Sequence, residues 1–341
     1  MQMIDGKYPK PWSIQIEMTE GCNRRCTFCG IHSLYREKED MIYKDMTVET
    51  AKAMAKDLNA WLGKVRIEFA LQGEPLLNKD AFKIIKAFRD YFPKAQLMLT
   101  TNCDPISNTD GFDQNKVKKL FSCGLNMLVA DYYEPNRYSY DGFFKKWKDN
   151  ELGIPTFDFY KDKPKVWGYE SCQMQKIVVI DNTENRDFYR NLNNQAGNTD
   201  PELIKLDGYK IEKLPLLKRC HLPFRELVIK YDGSVMICCM DWSREGFIGS
   251  FPEKTYKQIW ESKPLNDVRR VLLDGRRDLL VPCNTCNYHP VKVGLITSPY
   301  DENNLPDLME TAKSFKTHQD NHKHKMNKYA FKRFEYGEVT K

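Results

Sequence analysis

The sequence lacks any apolar run near the roughly 20 residues that a membrane-spanning helix requires, which excludes helical insertion into a bilayer. Its first ten residues, Met1 to Lys10, have no apolar core of the kind a secretory signal carries, so the expected compartment is cytoplasmic. There is no internal repeat and no low-complexity tract, which leaves a globular fold. An excess of one charge is also scarce. The 53 Lys and Arg against 47 Asp and Glu leave a net charge of +6, too slight to mark a nucleic-acid binder, though it does not oppose an anionic substrate. A hydrophobic content of 41% and a charged content of 29% are ordinary for a globular chain. With 341 residues the chain can bury one large core and a small second module, or two modest domains.

Cysteine, by contrast, is plentiful. Eleven of them in a reducing compartment argue for metal ligation over disulfides. Three stand in Gly21-Cys22-Asn23-Arg24-Arg25-Cys26-Thr27-Phe28-Cys29-Gly30, a C-x3-C-x2-C run. Three thiolates on one short loop can hold three irons of a [4Fe–4S] cluster, Cys being the usual Fe–S ligand. The fourth iron is then left with an open position, as reactive metal sites keep for substrate or cofactor. A buried helical stripe would also place Cys at this spacing. Glycines at both ends and polar Asn23, Arg24, Arg25 and Thr27 oppose that reading. A zinc knuckle is opposed by the lack of a near fourth ligand.

Around this loop the chain alternates strands and helices. Trp12 to Met18 alternates apolar and polar residues as a strand does and feeds into the loop. Thr47 is placed to cap a helix in which Val48, Ala51, Met54, Ala55, Leu58 and Leu62 share one face. Strands are expected at Val65 to Leu71, Gln96 to Thr101, Leu125 to Asp131, Pro155 to Tyr160 and Lys176 to Asp181. Helices are expected at Asp80 to Tyr91, with Phe82, Ile85 and Phe88 inward, and at Gln114 to Ser122. This rhythm predicts βα units around a parallel sheet.

The cysteine spacing, with the aromatic Phe28 just before the third Cys, resembles the cluster loop of the radical S-adenosylmethionine (SAM) superfamily. The resemblance implies a partial (β/α)6 TIM-like barrel with its chemistry at the carboxyl ends of the strands. It implies that SAM chelates the fourth iron through its amino and carboxylate groups. The reduced cluster then passes one electron to the sulfonium, releasing methionine and a 5′-deoxyadenosyl radical that removes hydrogen from substrate. Gln72-Gly73-Glu74-Pro75 resembles the family's Gly-Gly-Glu element, whose groups receive the amino group of SAM, with Gln72 in place of the first Gly. Taken alone it reads as an ordinary strand-to-helix turn. Thr101-Asn102 resembles Thr-Asn-Gly, with Cys103 for the Gly, and places Asn102 in contact with SAM or substrate. Cys103 reads as a small buried residue or as a pocket thiol. Val129-Ala130-Asp131 stands where relatives carry Ser-x-Asp, leaving Asp131 to reach the ribose of SAM or the substrate. Asn194-Gln195-Ala196-Gly197 looks like an Asn-Arg-Ala-Gly turn in which Gln195 removes the salt bridge that an Arg would make. Cys123 and Cys172 have no partner spacing and read as structural.

From Cys220 the composition changes. Leu227 to Tyr231 and Ser234 to Ile237 read as a hairpin around an Asp232-Gly233 turn, which carries Cys220 and Cys238 to neighbouring places. Cys283-Asn-Thr-Cys286 follows, after a helix from Tyr256 to Leu273 that is broken at Pro264. Four such thiolates close a complete site for zinc or for a [4Fe–4S] cluster. The C-x12-G-x4-C … C-x2-C pattern resembles the auxiliary-cluster region of SPASM-type radical SAM enzymes. It is nearest the shortened "twitch" version with one auxiliary [4Fe–4S] cluster, found in radical SAM dehydrogenases. No Cys follows Cys286, which opposes a second auxiliary cluster. Cys239 is an alternative ligand that the Gly-x4-Cys spacing disfavours, and His289, three residues after Cys286, reads as an exposed loop histidine rather than a ligand. The expected boundaries are 1–200 for the partial barrel, 201–297 for a SPASM/twitch-like auxiliary-cluster domain, and 298–341 for a basic C-terminal helix or tail.

Two [4Fe–4S] clusters and SAM, reduced by a flavodoxin or ferredoxin, therefore point to net two-electron oxidation of a small molecule. The rival radical target is a nucleobase in DNA or RNA, or a peptide. Peptide maturases of this family usually carry an N-terminal recognition domain, for which a cluster loop starting at residue 22 leaves no room. The aromatic and basic stretch from Tyr132 to Lys148 can stack bases or wall a substrate pocket. The basic tail from Leu305, with Leu308, Ala312 and Phe315 on one stripe, reads as a packed helix with a solvated face or as a phosphate contact. A non-catalytic iron–sulfur or zinc protein is opposed by Glu74 and Asn102 at the strand ends.

Overall fold

The computed structural model describes residues 8–35, 40–108, 111–133, 139–162, 174–182, 193–199, 214–288 and 305–325. The chain divides into two compact units, one of Ser13–Cys22 and Ile42–Asn191, the other of Met1–Trp12, Asn23–Met41 and Leu192–Lys341. Cys172, His289 and the tail beyond Lys325 lie outside the described residues.

The first unit is built of βα repeats. Its elements are β1 (Ser13–Ile16), α1 (Val48–Trp61), β2 (Arg66–Phe69), α2 (Ala81–Tyr91) and β3 (Gln96–Thr101), then α3 (Gln114–Ser122), β4 (Met127–Tyr132), α4 (Tyr140–Lys148), β5 (Thr156–Asp158) and β6 (Lys176–Asp181). These six strands pair in parallel, in the order β1-β2-β3-β4-β6-β5, and two short antiparallel pairs, 19–20 with 44–45 and 107–108 with 111–112, lie outside their sheet. The six strands are those the sequence pattern predicts, but the last two have exchanged places. Three residues suffice for β5, while β6 matches all six residues of β4 from Lys176↔Met127 to Asp181↔Tyr132. The longer strand takes the position where two ladders can be satisfied, since buried backbone groups must be paired.

Register puts Ile14, Ile67, Leu97 and Leu99, Leu128, and Ile177 on one face, all fully buried. Phe69, on the same face, meets the Phe88 ring of α2 edge-on at 5.4 Å. This is the helix-covered side. α1 starts where the sequence indicates, Thr47 accepting the Thr50 N–H as N-cap. In α2, Ile85 and Phe88 are buried as expected, but Phe82 is half-buried beneath the Lys119 ammonium, 4.6 Å from the ring centre. The opposite face of the sheet differs from end to end. Near β1 and β2 it is polar, with Glu68 accepting from Ser13 (3.0 Å) and Gln15 (3.4 Å). Across β3 to β6 it is apolar, Met98, Met127, Val129 and Val178 packing with Phe157, Phe159 and Ile180.

The second unit carries an antiparallel sheet of β7 (Glu226–Ile229), β8 (Ser234–Met236) and β9 (Phe247–Ser250). The β7–β8 turn falls on Asp232-Gly233, where Gly233 has φ +84°, a conformation that needs glycine. The helix break expected at Pro264 is present. α5 (Tyr256–Trp260) ends, Ser262 occupies an N-cap position, and Pro264 lies in the first turn of α6 (Lys263–Leu273). The C-terminal α7 (Leu305–Asn321) buries Leu308, Ala312 and Phe315, the stripe expected of a packed helix. Its charges pair within the helix, Lys313 with Glu310 and Lys316 with Asp320, and across to α6, Asp307 with Arg270. Among the described residues no helix is long and apolar enough to cross a membrane.

Candidate functional site

The loops after β1, β2 and β3 converge in the first unit, as the carboxyl ends of parallel strands must. Gly21 and Gly73 pair backbone to backbone, and the Glu74 N–H donates to the Gly21 carbonyl at 3.0 Å. A Cβ on Gly73 would lie 2.1 Å from the Thr19 oxygen and 2.8 Å from that of Gly21. Only glycine lets the two loops come this close. Gly73→Ala is expected to push the Cys22 loop aside at a cost of about 1–3 kcal/mol, lowering the melting temperature and the iron bound. Gly63→Ala, where a Cβ meets nothing within 4 Å, is the control.

Glu74 is the hub. It is 2% exposed, and its carboxylate accepts from the Leu76 N–H (3.1 Å), the Thr101 hydroxyl (2.7 Å) and the Asn102 N–H (2.8 Å). Burial pushes its pKa up to about 7 against those three donors, with Asp131 adding a small push in the same direction. A carboxylate offers about four acceptor positions, so one is left for a cationic ligand. Asn102 extends the network, its Nδ2 lying 3.5 Å from the Cys22 Sγ and its Oδ1 accepting from Asp104. Cys103 is a buried residue with left-handed φ +67°, donating its thiol to the Thr101 carbonyl, and not a pocket thiol. Asp131 sits at the end of β4 on the face opposite the helices. Burial raises its pKa to about 7, while Asn182 and the Tyr133 hydroxyl hydrogen-bond to it.

The cysteine loop passes from one unit to the other after Cys22. In the second unit, the Cys29 N–H donates to the Cys26 carbonyl at 3.0 Å. A Cβ on Gly30 would lie 2.6 Å from the Trp242 indole, which explains the glycine after the third Cys. The Gln195 turn supports this half. Gln195 accepts the Gly30 N–H at 2.9 Å and donates to the Phe28 carbonyl at 3.2 Å, so a neutral amide grips both neighbours of Cys29. The same turn reaches the later C-x2-C. Asn194 and Asn287 exchange side-chain-to-backbone bonds of 2.6 and 3.1 Å, and the Thr285 hydroxyl donates to the Ala196 carbonyl at 2.9 Å. Sequence spacing signalled the turn, but not that its side chains brace loops on both sides.

The second cysteine group converges. Cys220, Cys238, Cys283 and Cys286 line one cavity with Ala196, Leu222, Ile237, Met240, Leu272 and Tyr288. Cys239 is not among the lining residues. All four are half-buried. Burial raises Cys220 to about 11 and drives Cys238, Cys283 and Cys286 upward too, and Cys220, Cys238 and Cys283 each also feel neighbouring thiols. Such thiols ionise when a bound cationic centre compensates them. Among the described residues no three His, Cys, Asp or Glu side chains close on a point that would hold a single metal ion. Four thiol donors from three segments, in an enclosure whose other side chains are apolar but for Arg277 and Tyr288, suit an iron–sulfur cluster. Arg277, which also lines this cavity, had no signal in the sequence.

The aromatic stretch expected to wall a pocket or stack bases is largely core. Tyr132, Tyr140, Phe143 and Trp147 are buried, and Phe112 stacks on Trp147 at 4.0 Å. Residues 134–138 of that stretch lie outside the described residues.

Comparison with known proteins agrees with this geometry. The sequence pattern of the radical SAM superfamily matches residues 16–141, and that of an iron–sulfur cluster-binding domain, SPASM, matches residues 220–287. The chain is 22% identical over 276 residues to the S-adenosyl-L-methionine-dependent 2-deoxy-scyllo-inosamine dehydrogenase of Niallia circulans, covering 80% of this chain and 92% of that protein. It is 31% identical over 129 residues to the GTP 3′,8-cyclase of Sulfurovum sp. (strain NBC37-1), covering 37% of this chain and 35% of that one. In fold it is similar to the crystal structure of BtrN in complex with AdoMet and 2-DOIA. The TM-score is 0.61 at 19% identity, over 84% of this chain and 96% of that one.

Proposed function

Because the chain belongs to the radical SAM superfamily and is of the SPASM/twitch type, we propose that it oxidises a carbinol of a small hydroxylated substrate by two electrons. Cys22, Cys26 and Cys29 hold a [4Fe–4S] cluster that binds SAM, and Cys220, Cys238, Cys283 and Cys286 hold one auxiliary [4Fe–4S] cluster. When bound, the first cluster and SAM supply a 5′-deoxyadenosyl radical that removes hydrogen from substrate, and the second supplies an acceptor for the electron left behind.

The protein's part is to bind, orient and shield. Glu74 fixes the Asn102 backbone and offers its remaining acceptor position to the ammonium of SAM, beside the close approach of two loops that Gly73 permits. Asn102 holds the Cys22 sulfur by its side-chain amide. Phe28 is tied through its carbonyl to Gln195, so the aromatic keeps its place beside Cys29. Asp131 faces the ribose of SAM or the substrate hydroxyl from the end of β4, above the apolar floor of Val129 and Val178.

The observation that carries this reading is the convergence of four cysteines on one cavity. A fully ligated cluster has no open position for substrate, so its work is electronic. The similarity to a dehydrogenase over 80% of this chain supports a small polyol or aminocyclitol substrate. A nucleobase target loses support because rings that would stack on it are buried. A flavodoxin or ferredoxin as reductant, in a reducing cytoplasm, completes the proposal.

The test is anaerobic incubation of the reconstituted protein with SAM, dithionite and a panel of polyols and aminocyclitols. A ketone formed in step with 5′-deoxyadenosine supports the proposal; 5′-deoxyadenosine without oxidation of any member of the panel contradicts the substrate class. A pH dependence also follows. Glu74 and Asp131, both raised to about 7, are neutral below that value and anionic above it. SAM brings an ammonium, so its affinity is expected to weaken as pH falls through 7, approaching tenfold per unit. Equilibrium binding of SAM between pH 6 and 8 checks this, and Glu74→Gln should flatten the profile.

A further inference from the structure

We infer that Arg277 is the counter-charge of the auxiliary cluster and sets its reduction potential. This rests on the reading of Cys220, Cys238, Cys283 and Cys286 as cluster ligands.

Arg277 is 1% exposed and lines the same cavity as those cysteines. Its guanidinium is held by three backbone carbonyls: Nε donates to Lys218 O at 2.8 Å, Nη1 to Tyr288 O at 2.8 Å and Nη2 to Arg219 O at 3.1 Å. Two of those carbonyls belong to the segment leading into Cys220, and the third lies two residues beyond Cys286. Among the described residues no carboxylate is paired with it. Carbonyls satisfy its N–H groups but bring no compensating charge, and a buried unpaired cation is strongly disfavoured. The missing negative charge is that of the four thiolates. Apart from the thiols and the Tyr288 phenol, Arg277 is the one ionisable side chain in the lining. Two acids stand near these cysteines, but Asp241 is engaged by the Glu245 and Gly246 N–H groups and Glu226 by Arg225 at 2.7 Å.

In the proposed oxidation a substrate carbon radical gives one electron to the oxidised cluster and its hydroxyl proton to water, leaving a carbonyl and a cluster reduced by one electron. That electron adds a negative charge to the cavity. A fixed cation in a water-poor enclosure favours its arrival, and net charge is among the factors that set cluster potentials.

The test is a potentiometric titration of both clusters, followed by electron paramagnetic resonance, in the wild type, Arg277→Met and Arg277→Lys. Iron content is measured alongside. Arg277→Met, which keeps bulk and removes charge, is expected to shift the auxiliary midpoint to more negative potential. The expected size is at least tenfold in the one-electron equilibrium constant, about 59 mV. Arg277→Lys, which keeps the charge but not the three-carbonyl grip, is expected to recover much of the shift. The midpoint of the SAM-binding cluster should stay in place in both. An auxiliary midpoint unmoved in an iron-replete Met variant overturns the inference. So does a Lys variant shifted away from the wild type as far as charge removal would take it, which is the deciding result if the Met variant does not fold. A wild type with no second cluster signal overturns the auxiliary-cluster reading and this inference together; an intact second cluster indifferent to the charge overturns this inference alone.

Discussion

Replacing Cys22, Cys26 and Cys29 together with alanine is expected to abolish reductive cleavage of SAM and halve the bound iron, from about eight to about four per chain. The loss should exceed 100-fold, because removing even an outer-shell partner of a metal ligand typically costs about 10–100-fold in affinity or activity. The fold should survive. The cluster loop has anchors that do not depend on its thiols, among them the Gly21–Gly73 pairing and the Gly30 and Phe28 bonds to Gln195. The four cysteines around the second cavity are untouched, so the remaining iron should report their cluster alone. Iron analysis, circular dichroism and chromatographic quantification of 5′-deoxyadenosine separate these effects. Normal SAM cleavage by the triple variant would refute the assignment of the loop.

Replacing Cys283 and Cys286 with alanine should give the complementary result. Iron again falls to about four, but the SAM-binding cluster remains and 5′-deoxyadenosine still forms. Formation of oxidised product is expected to fall by at least about 100-fold, on the same scale of metal-ligand effects, because the substrate radical has lost its electron acceptor. The variant loses the Tyr288 N–H bond to the Cys286 sulfur (3.4 Å), but the loop keeps bonds that do not involve the thiols, between Asn194 and Asn287 and from Thr285 to Ala196. Its conformation should therefore persist. A variant that still makes ketone at the wild-type rate would remove the auxiliary cluster from the reaction.

Local features of this fold are legible in the sequence because their causes are local. Thr47 caps α1, Gly233 turns the β7–β8 hairpin, and the Leu308, Ala312 and Phe315 stripe packs α7, all from patterns within a few residues. The exchange of β5 and β6 was not legible, since period-2 alternation marks a strand but not its neighbour in the sheet. The swap follows from relative strand length and ladder satisfaction. The break that Pro264 signals is legible, and the structure places it at Glu261–Ser262 with Pro264 in the first turn of the second helix. At the site, cysteine spacing announced the metal chemistry. Glu74 was visible as an acid after a glycine, whereas its role as acceptor for Thr101 and Asn102 arises from the meeting of two strand ends. Gln195 was read through the salt bridge it cannot make, yet its amide makes two hydrogen bonds around Cys29. Arg277 carried no signal, as one arginine among 53 basic residues, because its meaning lies in the missing carboxylate partner and the nearby thiols.

The proposed homolysis of SAM at an iron with no protein ligand is tested by anaerobic reconstitution, addition of dithionite and SAM, and quantification of the products. The expected result is 5′-deoxyadenosine and methionine in equal amounts, with deuterium entering the 5′-deoxyadenosine when a deuterated substrate is oxidised. Iron-replete protein that releases neither, under reduction sufficient to bleach its clusters, would contradict it.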